Sequence, residues 1–346
     1  MEASTIYVVL LNWRGWQDTI ACLQSVFASQ SVQFKVIVCD NGSGDNSLEN
    51  IEAWASGEIN AEIPAHPRLV ALLSDDGIKP DCRRINRATA ESATYRVEAG
   101  LTLIDNGANL GFAAGNNVGL RLALSQADMS AVWLLNNDTL VAPNCLHAMQ
   151  SELVASGGRS VIGSVIHFFD RPEVIQAIGG NRFNYVTGVA ACSEGRFLQE
   201  DAIDLATIKD RSIDYLSGCS MLLPRAFLEE VGLMSEDYFL YYEEIDWFTR
   251  AKGQFSIQVA PAARLYHREG SAIGSPGWQR PASSFSDYHM QRSRLIFMRK
   301  HAPQWLLTCY LASFIDVGKR LVRGQVDNAR SVLNAMMQRR GNWLPE

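Results

Sequence analysis

The chain lacks the signatures of several common protein classes. Its seven cysteines (Cys22, Cys39, Cys82, Cys145, Cys192, Cys219, Cys309) are odd in number and scattered, with no CxxC pair. That pattern excludes a disulfide scaffold and signals neither a zinc knuckle nor a redox motif; most of the thiols read as small buried hydrophobes of a reducing compartment. Long apolar runs are missing too. Ile6–Leu11 is too short for the core of a signal peptide and runs into Asn12-Trp13-Arg14. Trp305–Ile315 stops at Asp316, short of a membrane span. The expectation is a cytoplasmic protein. No GxGxxG follows the first apolar run and no Walker loop occurs, which argues against a dinucleotide enzyme and a P-loop nucleotidase.

What is present is a globular composition over 346 residues, 47% hydrophobic and 20% charged, enough for roughly two domains of about 150 residues. The net charge of −6 is unevenly spread. From His289 onward ten Lys/Arg face three acids, giving +7 and leaving −13 on the rest of the chain. Such asymmetry marks a tail that meets an anionic partner.

Ile6-Tyr-Val-Val-Leu-Leu11 predicts a strand buried on both faces of a parallel sheet. A helix over Asp18–Ser29, a strand over Phe34–Cys39 and a helix over Ser47–Trp54 complete a βαβ rhythm. Residues 56–100, with Pro64, Pro67 and Pro80, read as a loop-rich insertion. Strands are expected at Leu101–Ile104, Ala131–Leu135, Val161–Phe169, Phe183–Ala191, Ser256–Ala260 and Ala263–His267, with helices at Gly115–Gln126 and Glu243–Ala251. Leu216–Leu223 and Phe227–Val231 continue the alternation. Gly270–Ser286 looks like a flexible joint, and helices follow over Asp287–Lys300, from Pro303 through Ile315, and over Val326–Arg339. The expected fold is therefore α/β: an open, mostly parallel sheet flanked by helices over 1–270, and a helical region over 271–346.

Three polar clusters sit at expected carboxyl ends of strands, where open α/β sheets gather ligands: Asn12, Asp40-Asn41-Gly42-Ser43 and Asn136-Asn137-Asp138. One such cluster is ordinary turn chemistry; three at one sheet edge favour a site. Asp40 suits a nucleobase imide or a ribose hydroxyl. Without a phosphate loop, a diphosphate needs a divalent cation, for which Asp138 is the best-placed ligand; capping the turn at Thr139–Pro143 is the competing role. In Phe239-Leu-Tyr-Tyr-Glu-Glu-Ile-Asp-Trp-Phe-Thr-Arg250, three acids (Glu243, Glu244, Asp246) crowd among five aromatics. Dipole compensation in a first helical turn accounts for part of this. Desolvation and like charge would also raise a carboxyl pKa and ready it as a general base. His267 ends a short strand as a partner for Asp138 on Mn²⁺ or Mg²⁺.

In this order and spacing the segments resemble glycosyltransferase family 2 enzymes of GT-A fold, especially the rhamnosyltransferase-like branch. The matching segments are Val8–Asn12, Val36–Ser43, Asn109–Gly119, Trp133–Asp138, Ser217–Leu222, Phe239–Trp247 and His267, over about residues 5–300. The resemblance implies an inverting sugar transfer from a nucleotide-diphosphate sugar, with dTDP-rhamnose as the branch's donor and a glycan or lipid-linked saccharide as acceptor. It implies that Asn12, Asp40, Asn41, Asn109, Gly111, Asn116, Asn137 and Asp138 line the nucleotide-sugar site. Asn136 stands where the family carries the first acid of its DxD motif. Glu244 takes the catalytic-base position, with Glu243 or Asp246 as substitutes, and Gly218 and Trp247 fall where the acceptor binds. Asp138 and His267 are the implied ligands of Mg²⁺ or Mn²⁺.

Two competing functions remain. A sugar-phosphate nucleotidyltransferase would carry a Gly-rich basic loop after the first strand, where this chain has Asn-Trp-Arg-Gly-Trp16. A catalytically inactive nucleotide-sugar binding protein would not need Asp138, Glu244 and His267 together. The basic tail either packs on the catalytic domain or a second subunit, or touches an anionic membrane through Trp305, Phe314 and its cations. No nucleic-acid partner is expected.

Overall fold

The computed structural model describes residues 4–29, 32–73, 79–92, 94–191, 195–204, 213–268 and 282–339. In chain order these form β1 (Thr5–Asn12), α1 (Trp16–Phe27), β2 (Phe34–Asp40), α2 (Ser47–Ser56), α3 (Pro67–Val70), β3 (Cys82–Asn86), α4 (Arg87–Ala90), β4 (Leu101–Asp105), α5 (Gly111–Leu124), β5 (Met129–Asn136), β6 (Thr139–Val141) and α6 (Cys145–Ala155). There follow β7 (Ser160–Phe168), β8 (Arg171–Ile178), β9 (Gly180–Asn184), β10 (Val189–Ala191), β11 (Tyr215–Leu216), β12 (Ser220–Pro224), α7 (Arg225–Glu230), α8 (Glu243–Ala251), β13 (Ser256–His267), α9 (Ser284–His301), α10 (Leu306–Val322) and α11 (Val326–Met336).

One large sheet runs β3-β4-β2-β1-β5-β12-β7-β13-β6, with β8 paired to β7 off that path. The β3-β4-β2-β1-β5 half is parallel, whereas β12 runs antiparallel to both its neighbours. Each central strand is apolar on both faces, as a sheet covered on both sides requires. Tyr7, Val9 and Ile37 enter one core with α5, α8 and α9, while Ile6, Val8, Leu10, Val36 and Val38 enter the other with α1, α2 and α6. The register fixes the site: Asn12 pairs with Asp40, and Leu11 with Asn136, so three polar strand ends share one sheet edge.

Several local expectations change. Residues 56–100 contribute β3, an edge strand in parallel register with β4 (Cys82 with Leu101, Asn86 with Asp105). Its Cys-Arg-Arg-Ile-Asn sequence is the charged, largely exposed kind that protects a sheet edge, so it does not read as a core strand. Phe183–Ala191 is a hairpin, not one strand: Asn184 Oδ1 accepts from Val186 N (2.9 Å) and Thr187 N (3.2 Å), turning the chain between β9 and β10. Leu216–Leu223 is broken at 217–219, whereas the two segments expected around 256–267 are one strand with a register shift between Val259 and Arg264. Most of the expected Gly270–Ser286 joint lies outside the described residues, and its end already belongs to α9.

The C-terminal helices pack on the α/β body. Leu295, Phe297 and Met298 of α9 belong to its core; Ser293 Oγ donates to Leu240 O (2.8 Å), and the buried Arg294 donates to Thr187 O and pairs with Asp316 (3.1 Å). Among the described residues no helix is long and apolar enough to cross a membrane.

Candidate nucleotide-sugar and catalytic site

The three strand ends form one hydrogen-bonded edge. Asn12, fully buried, donates through Nδ2 to Asp40 Oδ1 (2.6 Å) and Ser43 Oγ (3.2 Å) and accepts from Thr19 Oγ1 (2.8 Å). Ser43 donates through its N–H to Asp40 Oδ2 (3.0 Å) and through its hydroxyl to Oδ1 (2.6 Å). Asp40 thus anchors its own loop and keeps room at Oδ2 for one further donor. Asn137 joins the same network, donating to Thr19 Oγ1 at 2.8 Å. Asn41 is spent on scaffolding: its amide bonds Asn109 Oδ1 (2.9 Å) and Gly111 O (3.1 Å) and accepts from Leu110 N (3.2 Å). Asn116, also buried, donates back along its helix to Phe112 O (3.0 Å).

Gly111 opens α5 at φ +81°, and a Cβ there would stand 2.4 Å from Phe239 O, so only glycine allows the approach. Phe112 N donates to that same carbonyl (2.8 Å), tying the 109–111 loop to the segment that carries the acids.

Asp138 and His267 meet across the sheet. β5 delivers Asp138 just past its end, β13 ends on His267, and Asp138 Oδ1 lies 3.1 Å from His267 Nε2, both side chains nearly buried. His267 Nδ1 is 2.9 Å from Gln176 Oε1. An amide oxygen only accepts, so Nδ1 carries the proton and Nε2 faces Asp138. Burial lowers the His267 pKa, but the Cys219 sulfur and the Asp138 carboxylate raise it more, and it ends well above the ordinary imidazole value, so without a cation Nε2 also holds a proton toward Asp138 that a metal ion would displace. This pair fits a divalent cation. A carboxylate oxygen and an imidazole nitrogen converging at this separation are a donor set that Mg²⁺ or Mn²⁺ accepts. No larger group of three or more His, Cys, Asp or Glu gathers among the described residues, so this pair is what the chain would offer a cation there.

The acid cluster separates into three roles. Tyr241 and Tyr242 both adopt left-handed backbone (φ +67° and +73°), a costly pair for non-glycine residues, and this tight bend starts α8. Glu243 is buried, its Oε2 lacks a hydrogen-bond partner among the described residues, and burial and then the neighbouring Glu244 push its pKa well up. Glu244 accepts from Gly218 N (3.2 Å), and burial raises its pKa as well. Asp246 points elsewhere. It bonds Arg250 Nε (2.8 Å), His301 Nε2 (2.6 Å), Lys300 Nζ (3.1 Å) and Tyr238 OH (3.2 Å), and its pKa is lowered: burial opposes this, but His301 and Arg250 outweigh it. It clamps α8 to α9. Trp247 cannot touch an acceptor: it is fully buried on Phe227 and its Nε1 donates to Gly232 O (2.8 Å).

The turn between β11 and β12 joins the halves. Cys219 O accepts from Asn136 N (2.9 Å), while Gly218 N reaches Glu244. Glu244 also borders a cavity of about 400 Å³, shared with Ser217, Tyr241, Met290, Gln291 and Arg294. Its α9 wall escaped the sequence reading because no local motif marks it; only the packing of α9 on α8 brings those residues there. Gln176 was missed for the same reason, since β8 meets β13 only through β7.

A mostly parallel central sheet flanked by helices, with further helices at the C-terminal end, is the GT-A fold. The fold is shared with GalNAc-T7, solved with UDP, GalNAc and Mn²⁺ (TM-score 0.53, 12% identity, 86% of this chain and 48% of that one). It is also shared with residues 1–349 of S. aureus TarS in complex with UDP-GlcNAc (TM-score 0.51, 15% identity, 96% of this chain and 80% of that one). Residues 65–231 match the family described as Glycosyl transferase family 2. Similar curated proteins are the low-salt glycan biosynthesis hexosyltransferase Agl10 of Haloferax volcanii (23% identity over 171 residues, 48% of this chain and 51% of Agl10) and the N-acetylglucosaminyl-diphospho-decaprenol L-rhamnosyltransferase of Mycobacterium tuberculosis (31% over 99 residues, 28% of this chain and 30% of the relative). The chain matches about half the length of the first and under a third of the second.

Proposed function

We propose that the protein transfers a hexose from a nucleoside-diphosphate sugar to a saccharide acceptor with inversion at the anomeric carbon. The observation that carries this reading is the 218–219 turn, which bonds the strand leading to Asp138 through one residue and Glu244 through the other. The proposed base and diphosphate site thereby lie on either side of one turn and belong to different elements, as displacement from the face opposite the leaving group requires.

Asn12 and Asp40 lie at the nucleoside end. Asp138 and His267 would hold Mg²⁺ or Mn²⁺, which when bound offsets charge on the leaving diphosphate. Glu244 takes the proton of the acceptor hydroxyl as that oxygen bonds to the anomeric carbon, and the bond from that carbon to the diphosphate oxygen breaks. Nucleoside diphosphate leaves; the proton stays on Glu244 until solvent removes it. The raised pKa of Glu244 makes it a stronger base than an exposed carboxylate. The name of the Mycobacterium relative supports L-rhamnose as the sugar and a lipid-linked saccharide as the acceptor class; dTDP-rhamnose is the donor that the resemblance to the rhamnosyltransferase-like branch implies.

A thermal-shift panel of UDP, dTDP and GDP sugars with Mn²⁺ or Mg²⁺ tests the donor, followed by turnover on saccharide acceptors. Stabilisation by dTDP-rhamnose alone is the expected result. Stabilisation by a UDP-hexose instead would move the donor within the family, and no shift with any nucleotide sugar would refute the reading.

A further inference from the structure

We propose that the outward face of α10 is a docking surface for an anionic lipid bilayer. The helix is amphipathic in the wrong sense for a solvated element. Its inner face carries Cys309, Ser313, Asp316, Val317 and Arg320, the last two polar residues being held in ion pairs: Asp316 with Arg294 at 3.1 Å and Arg320 with Asp287 at 2.5 Å. Its outer face presents Leu307, Leu311, Phe314, Ile315, Leu321 and Val322, each between 53% and 90% exposed. At 3.6 residues per turn these six fall within about a third of the circumference. Trp305 before the helix and Val326 after it are exposed as well. Soluble surfaces scatter such residues singly; a continuous stripe of this length marks a contact.

The charges around the stripe choose the partner. Lys319 and Arg323 are exposed along one border, and Arg299 marks the other through its bond to Tyr310 OH (2.9 Å). The segment from His289 carries +7. A second copy of this chain would bring that excess against its own kind, whereas a bilayer with anionic headgroups complements the cations and receives the apolar stripe between them. The inner face is already committed to α9 and the α/β body, so docking through α10 leaves the fold unchanged and needs no spanning segment. The surface stands apart from the transfer chemistry, although a lipid-linked acceptor would explain why the enzyme needs it.

Co-sedimentation of the full chain with phosphatidylglycerol–phosphatidylcholine vesicles, against phosphatidylcholine alone, tests the proposal. Binding to the anionic vesicles that weakens with salt is expected. Lys319→Ser and Arg323→Ser should each lower the partition coefficient about fivefold. Leu311→Glu with Phe314→Glu should abolish binding while leaving the melting temperature and the nucleotide-sugar thermal shift unchanged, which separates this surface from the donor site. If that double variant loses the fold, the two cation variants decide. Equal binding to both vesicle types, or none, overturns the proposal. So does a dimer, seen by light scattering, that the double variant converts to a monomer without vesicle binding by the wild type.

Discussion

The backbone N–H of Gly218 donates to Glu244 Oε1 at 3.2 Å, and a Cβ at position 218 would stand 2.3 Å from that oxygen. The turn is therefore both the donor that orients the proposed base and the reason it has room. Gly218→Ala should displace the carboxylate by the better part of an ångström and cut kcat about 100-fold. Nucleotide-sugar stabilisation in a thermal-shift assay should persist. Wild-type kcat in the variant would remove Glu244 from the reaction.

Glu244→Gln keeps the shape and removes the basicity. A loss of about 100- to 10,000-fold in kcat is expected, with donor affinity retained. Asp246→Asn makes the contrast. Its carboxylate is tied to Arg250, Lys300 and His301 in a fully buried site, so the expected loss is stability, on the order of 3 kcal/mol, read from denaturant unfolding. A large kcat defect at unchanged stability would exchange the two assignments.

Asp138→Asn and His267→Ala should each abolish the part of the donor's thermal shift that depends on Mn²⁺ or Mg²⁺, leaving any metal-independent nucleotide binding in place. Second-sphere loss is milder: Gln176→Leu frees His267 Nδ1 and should weaken the metal requirement about 10- to 100-fold in apparent affinity. Titration of the donor shift against metal concentration measures both effects.

Glu243 gives a pH dependence of known sign. Burial and the adjacent Glu244 raise its folded pKa above the unfolded value, so the native state holds a proton that the unfolded chain releases. That contribution is fully present below the unfolded carboxylate pKa and is lost as pH rises through the raised folded value. Glu243→Gln should therefore unfold at a higher temperature than wild type toward neutral pH, and its stability should fall less between about pH 5 and about pH 8. Identical pH profiles for the two proteins would show that Glu243 is ionised in the folded state.

The parallel half of the sheet was legible because strands buried on both faces need continuous apolar runs, and Ile6–Leu11 and Phe34–Cys39 have them. The acids and amides at the strand ends were legible for a related reason: once those strands are parallel, Asn12, Asp40 and Asn136 must reach one edge. β3 was hidden by its arginines, and the β9–β10 turn by residues that look strand-like on both sides of it.

Sequence alone thus settled the central parallel strands, their polar edge and the crowding of acids at 243–246. Tertiary structure decided what each acid does. Glu243, Glu244 and Asp246 are nearly indistinguishable in chemistry and lie within four positions. Yet one meets a backbone N–H of the 217–219 turn, one is enclosed with its Oε2 unpartnered among the described residues, and one is neutralised by cations from α9. It also decided the tail, where only the packing of α9 and α11 shows that the polar side of α10 faces inward and its apolar side does not. Spacing records which residues share a helix face; the partner that each face meets is a long-range property of the fold.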